Sequence, residues 1–384
     1  VGWEYDLLLR CGGATPVEWA AALAVAIWLY LLAGRGFFWW MREAKLADAS
    51  PPPRRVAVVI PARNEAGVVG KAVASLMAQE YPGPFEVILV DDHSTDATAA
   101  IALQARARVL AADPLPEGWT GKLWALSEGL REAARSSPDY FLLTDADIVH
   151  DPGNLAQLVA LAEAHGYDLA SLMVQLRCET VAEKALIPAF VFFFLKLYPP
   201  RWISSGRHAT AGAAGGCVLI RREALERCGG IEAIRGALID DCTLARAVKR
   251  TGGLLWLGLS YTTHSIREYG TFGEIGRMIA RSAFTQLDYS PLRLAGTVAG
   301  MLAMYVLPPT LALGFGSRLA ALAWLMMMAA YVPVLRLYRR SLLWALTLPL
   351  VALFYTAATV WSALNYWRGR GGAWKGRAQA RRSS

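Results

Sequence analysis

No paired cysteines occur in this sequence. Its five cysteines, Cys11, Cys178, Cys217, Cys228 and Cys242, stand far apart, there is no Cys-x-x-Cys, and no two histidines have metal-ligating spacing. That argues against a zinc site and reads as reduced thiols facing a cytosol. No Gly-x-Gly-x-x-Gly follows the first apolar strand and no phosphate-binding P-loop is present, so neither a nicotinamide enzyme nor an ATPase is indicated. Charge is sparse: 18% of the 384 residues are charged against 55% hydrophobic, with 14 tryptophans. Such a balance excludes a disordered chain and argues against an ordinary soluble protein. The formal charge of +8 is unevenly placed, because residues 55–290 hold 23 Lys and Arg against 26 Asp and Glu, whereas the flanks hold 16 against 5. Basic flanks suit a membrane protein and argue against a basic groove for nucleic acid.

What is present first is apolar length. Residues 19–34, 294–317, 319–335 and 341–367 lack charge long enough to be membrane spans. Glu4 and Asp6 precede the first stretch and no small-residue cleavage site follows it, so it reads as an anchor rather than a signal peptide. Beyond it stand Arg35, Arg42, Lys45, Arg54 and Arg55, which by the positive-inside rule puts the chain from about residue 42 onward in the cytoplasm. The C-terminal side leaves two topologies open. Three full spans place the tail from Arg368, with six basic residues and no acidic one, on the far side; alternatively 294–317, interrupted by Pro308-Pro309, is re-entrant or interfacial, leaving two true spans and a cytoplasmic tail.

Between the spans, residues 55–290 have the length of one domain, entered through Pro51-Pro52-Pro53. Val56–Ile60 is a continuous apolar run, as a strand buried on both faces requires, and Pro61 is expected to end it. Strands at Phe85–Val90, Arg108–Leu110 and Tyr140–Leu143 alternate with helical patterns at 68–77, 96–106 and 121–135. This predicts an α/β fold with a mostly parallel sheet wound by helices, its ligands at the carboxyl ends of the strands. Those ends are acidic: Glu65 after the first strand, Asp91-Asp92 and Asp96 after the second, Asp145-Ala146-Asp147 after the fourth. Carboxylates there can accept hydrogen bonds from a base or ribose, or hold a hard divalent cation that in turn holds phosphates. Taken singly, each is also an ordinary cap or turn residue.

Val58–Glu65, Val90–Thr98, Gly121-Lys122 and Asp145-Ala146-Asp147 together resemble the family 2 glycosyltransferases of GT-A fold. Leu115–Trp124 and the anchor–domain–anchor layout are similar to the hopene-associated glycosyltransferases and, more distantly, to carotenoid and ceramide glycosyltransferases. The resemblance implies a nucleotide-sugar donor, UDP-sugar favoured, bound by Pro61, Arg63, Glu65, Asp92, Lys122 and Asp145. It implies a Mg²⁺ or Mn²⁺ on Asp145 and Asp147, an acceptor-side loop with Gly215 and Gly216 beside Asp240, and Asp241 as the base. A carboxylate in reach of an alcohol removes its proton as the new C–O bond forms. Where processive relatives carry Gln-x-x-Arg-Trp this chain has Met278-Ile279-Ala280-Arg281-Ser282, which implies transfer of one sugar, with Arg281 at the leaving diphosphate. His264, without paired spacing, is left outside the site.

The resulting layout is an N-terminal anchor and linker at 1–54, the GT-A domain at 55–290, a transmembrane region at 291–367 and a basic tail at 368–384. The expected setting is a bacterial inner membrane, multi-pass, with the catalytic domain cytoplasmic, a lipid acceptor, and no nucleic-acid partner. Leu186–Leu195, with Phe190, Phe192, Phe193 and Phe194, is too short to span and reads as an interfacial helix against lipid, core burial being the alternative. Competing readings are a polyprenyl-phosphate glycosyltransferase, which would not require Asp241, and a transporter or scaffold. A transporter is disfavoured because the apolar stretches carry no acid or histidine for a relay.

Overall fold

A computed structural model describes residues 15–41, 43, 51–374 and 377–380, so Cys11, Arg42, Lys45 and Lys375 lie outside the described residues. The chain divides into two compact units: one comprises residues 1–41, 184–197 and 272–364, the other 42–183, 198–271 and 365–384.

The second unit is built on an eight-stranded sheet: β1 (Val56–Ala62), β2 (Phe85–Asp91), β3 (Arg108–Ala111), β4 (Tyr140–Thr144), β5 (Ile148–His150), β6 (Leu169–Gln175), β7 (Cys217–Arg221) and β8 (Leu255–Ser265), in the order β3-β2-β1-β4-β7-β6-β8-β5. The four strands read from the apolar runs are all present and mutually parallel. β7 runs antiparallel to both β4 and β6, and β5 antiparallel to β8, so the sheet is mixed beyond β4. Every residue of β1 is buried, as its unbroken apolar sequence demands. Pro61 does not end that strand. Pairing with β4 stops at Val59, while pairing with β2 continues through Pro61 to Ala62, so a residue lacking an N–H sits where only one neighbour remains. Helix Gly121–Ala133 packs on β1 so closely that a Cβ at Gly129 would lie 2.4 Å from Val59, which leaves room for glycine alone.

Among the described residues, four helices are long and apolar enough to cross a membrane: Pro16–Gly34, Pro291–Phe315, Arg318–Leu337 and Leu342–Trp367. The first opens with a capping box, Thr15 and Glu18 exchanging side-chain and backbone hydrogen bonds, followed by Pro16 at the first helical position. Pro291–Phe315 is one continuous helix. A π-helical turn at Leu302–Val306 precedes Pro308-Pro309, so the helix runs through the two prolines without a break.

The helix Val181–Leu197 carries the phenylalanine cluster, and its burial corrects the interfacial expectation. In the helical unit Phe192 is fully buried, edge-on to Phe38 and Tyr331 at 5.3 Å each, and Phe193 meets Tyr355 at 4.8 Å and Tyr305 at 5.5 Å. A helix apolar on all sides is enclosed by partners rather than laid on a surface. Phe190 and Phe194 are half-buried. The four described cysteines, Cys178, Cys217, Cys228 and Cys242, are free thiols.

Candidate active site

The loops that follow β1 and β2 are fastened to each other. Ser94 and Thr98 hydroxyls accept from the Asn64 and Glu65 amides, Asp96 accepts from Ala66, and Asn64 accepts from Thr95 at 2.8 Å. Asn64 and His93 sit at φ near +50°, so each loop leaves its strand in a sharp left-handed turn. Asp96, acidic in sequence, is thus a staple. Asp92 is buried and pairs with Arg63, whose guanidinium also donates to the Asp92 carbonyl.

Two basic side chains divide the remaining carboxylates between them. Lys122, in the first turn of helix Gly121–Ala133, reaches Asp145 at 2.8 Å and Asp240 at 2.9 Å. Arg267, just beyond β8, reaches Asp147 at 3.1 Å and Glu65 at 2.7 Å, with the Ser265 hydroxyl also donating to Asp147. Burial works against the ammonium of Lys122, but Asp145 and Asp240 outweigh it and raise its pKa. The same balance, set by Asp147 and Glu65, keeps Arg267 charged. Burial also raises the Asp145 carboxyl, with Lys122 opposing.

Asp241 lies in the first turn of helix Asp240–Arg250. Its two oxygens accept from the Gly215 amide at 2.8 Å and from the Cys242 amide at 2.7 Å. Burial, then repulsion from Asp240, push it up to about 6, Lys122 and the backbone donors holding it down. A Cβ at Gly215 would come within 3.1 Å of the Asp241 carboxylate, and one at Gly216 within 3.0 Å of Val174. Glycine therefore lets the loop close on the acid. Pro61, Lys122, Asp145, Gly215, Asp240 and Asp241 line a single cavity floored by leucine side chains.

The fold thus gathers all the expected donor, acceptor and base residues in the sheet unit. Arg281 is exposed on helix Phe272–Ser282, which belongs to the helical unit. The reading from sequence missed Arg267; its signal was a basic residue directly after the last strand, where ligands of such sheets collect. Asp145 and Asp147 offer hard oxygen donors, and among the described residues no set of three His, Cys, Asp or Glu converges to complete a shell. That donor set fits a Mg²⁺ or Mn²⁺ that takes its other ligands from a diphosphate and water, the usual manner for Mg²⁺.

Residues 57–229 match the family model described as glycosyl transferase family 2. Over 105 residues, 26% of this chain, the sequence is 39% identical to the beta-monoglucosyldiacylglycerol synthase of Synechocystis sp., covering 21% of that protein. Over 127 residues, 33% of this chain, it is 28% identical to the 4,4'-diaponeurosporenoate glycosyltransferase of Staphylococcus aureus, covering 32% of it. The chain spans less than half the length of these curated relatives. Among solved structures, the mannosyltransferase PcManGT from Pyrobaculum calidifontis, in complex with GDP-Man and Mn²⁺, shares the fold, with a TM-score of 0.58 and 19% identity over 91% of this chain and 99% of that one. The sheet unit is of GT-A type, and its similarity to glycosyl transferase family 2 lies within residues 57–229.

Proposed function

We propose that this chain is a family 2 glycosyltransferase that moves a single sugar from a nucleotide sugar to the hydroxyl of a membrane lipid, with inversion at the anomeric carbon. The observation that carries the reading is Asp241: a half-buried carboxylate, held by two backbone amides and raised in pKa, in the same cavity as the donor-side Lys122 and Asp145. A base with a pKa near the working pH is ionised in enough molecules and still takes a proton readily. One base and one displacement suffice for inversion.

In this reading Asp92 and Arg63 contact the nucleoside, and Pro61 and Glu65 shape the loop beside it. Asp241 accepts the acceptor hydroxyl proton, and the Gly215 and Cys242 amides hold its carboxylate in place. Lys122 keeps Asp240 from adding a second full negative charge beside the base. A divalent cation on Asp145 and Asp147, when bound, neutralises charge on the leaving diphosphate.

A lipid acceptor is supported by the four apolar helices and by relatives named for lipid and carotenoid glycosylation. The resemblance of Leu115–Trp124 to the hopene-associated glycosyltransferases favours a hopanoid alcohol within that class. Arg35, Arg54 and Arg55 after the first apolar helix favour a cytoplasmic face of a bacterial inner membrane for the sheet unit. Absence of the Gln-x-x-Arg-Trp run favours one transfer over chain synthesis.

Membranes carrying the protein, incubated with radiolabelled UDP- and GDP-sugars, should yield one labelled lipid carrying one sugar. No label in the lipid extract with any donor would refute the proposal. A labelled lipid phosphate made equally well by Asp241→Asn would assign the acceptor to the polyprenyl phosphates.

A further inference from the structure

Arg267 stands on a short segment that is fastened on both sides. On one side the Ile266 amide donates to the Asp147 carbonyl at 3.0 Å and the Ser265 hydroxyl to the Asp147 carboxylate. On the other, two residues past Arg267, both backbone groups of Tyr269 are taken by a helix start. The Tyr269 amide donates to Glu183 Oε1 at 2.9 Å, and its carbonyl accepts from Thr180 Oγ1 at 3.1 Å. Thr180 and Glu183 frame the start of helix Val181–Leu197: the Glu183 amide donates to the Thr180 hydroxyl at 3.1 Å, and Glu183 Oε2 accepts from the Thr180 and Glu179 amides at 2.9 and 2.8 Å. Thr-x-x-Glu is the signature of a capping box, whose task is to satisfy orphan amides of its own helix. Here the carboxylate does more. Glu183 is completely buried, and Arg177 spans from it at 3.4 Å to Glu268 at 3.1 Å, so the cap holds the two residues that follow Arg267.

Arg267 itself is partly exposed, between two carboxylates of the donor site. A guanidinium keeps its charge when partly buried and offers a planar fork that matches phosphate oxygens. We propose that Arg267 binds the diphosphate of the donor and that Glu183, through Tyr269, is the positioning residue that keeps it there. The assignment rests on the nucleotide-sugar reading. Arg267 trades a carboxylate for the diphosphate as the donor enters, and the capped helix fixes the backbone from which it does so.

The test is a double-mutant cycle on nucleotide affinity, measured by calorimetry on the full chain in detergent with UDP and GDP in the presence of Mn²⁺. Arg267→Ala should weaken binding by about tenfold, the scale of a hydrogen bond to a charged group. Glu183→Ala should weaken it severalfold alone and by no further measurable factor in the Arg267→Ala background. Thr180→Val, which keeps the buried carboxylate, should repeat that non-additivity with a smaller effect and decides the matter where Glu183→Ala fails to fold. Unchanged affinity in Arg267→Ala, or an equal loss from the cap variants in both backgrounds, would overturn the proposal. A wild-type chain that binds neither nucleotide would instead overturn the donor reading on which it rests.

Discussion

Asp241 accepts a hydrogen bond from the amide of Gly215 at 2.8 Å, joining the first turn of one helix to a loop 26 residues earlier in the chain. Cys242 strengthens the same junction, its thiol donating to the Ala213 carbonyl. The candidate base and the loop expected to face the acceptor are therefore one rigid element.

Asp241→Asn keeps the shape of that junction and removes the basic oxygen. Transfer to a hydroxyl acceptor should fall by about 10²–10⁴-fold, the usual contribution of a positioned base, with nucleotide affinity held within threefold. Parallel loss of turnover and nucleotide binding would show Asp241 to be structural. Gly215→Ala, pressing on the same carboxylate, should lower kcat with nucleotide affinity retained.

The pH dependence follows from the raised Asp241 carboxyl. A base works ionised, so activity should rise with pH and be lost as pH falls through about 6. Asp240→Asn removes a neighbouring negative charge that raises Asp241, and should move this limb to lower pH. A rate profile with no acidic limb between pH 5 and 7 would count against the assignment.

Chelation tests the carboxylate pair. EDTA should abolish turnover, with recovery on adding Mn²⁺ or Mg²⁺, and Asp147→Ala should lose most activity and not recover at any metal concentration. Full activity after EDTA would remove the cation from the scheme.

Phe192 separates burial from lipid contact. Fully enclosed by Phe38 and Tyr331, it should cost about 3–5 kcal/mol when truncated to alanine, through lost contacts and the cavity left behind. The melting temperature should drop, and activity toward a membrane lipid and toward a short soluble alcohol should fall together. A selective loss toward the lipid, with the melt unchanged, would restore the interfacial role.

The sequence by itself determined whatever depends on neighbours along the chain. The apolar run of β1, the acids at the strand ends and the four uncharged stretches are local patterns of period and polarity, and each appears as an element where the residues place it. Tertiary structure decided what depends on partners. Arg267 and Glu65 lie 202 residues apart, and nothing local to either shows that one guanidinium joins Glu65 to Asp147. The antiparallel course of β7 rests on which edge β4 leaves open, and a strand's direction leaves no mark on its own composition. The phenylalanines of Val181–Leu197 carry the same apolar signal whether lipid or protein covers them, because the hydrophobic effect has no direction; only the aromatic partners around Phe192 and Phe193 distinguish the two.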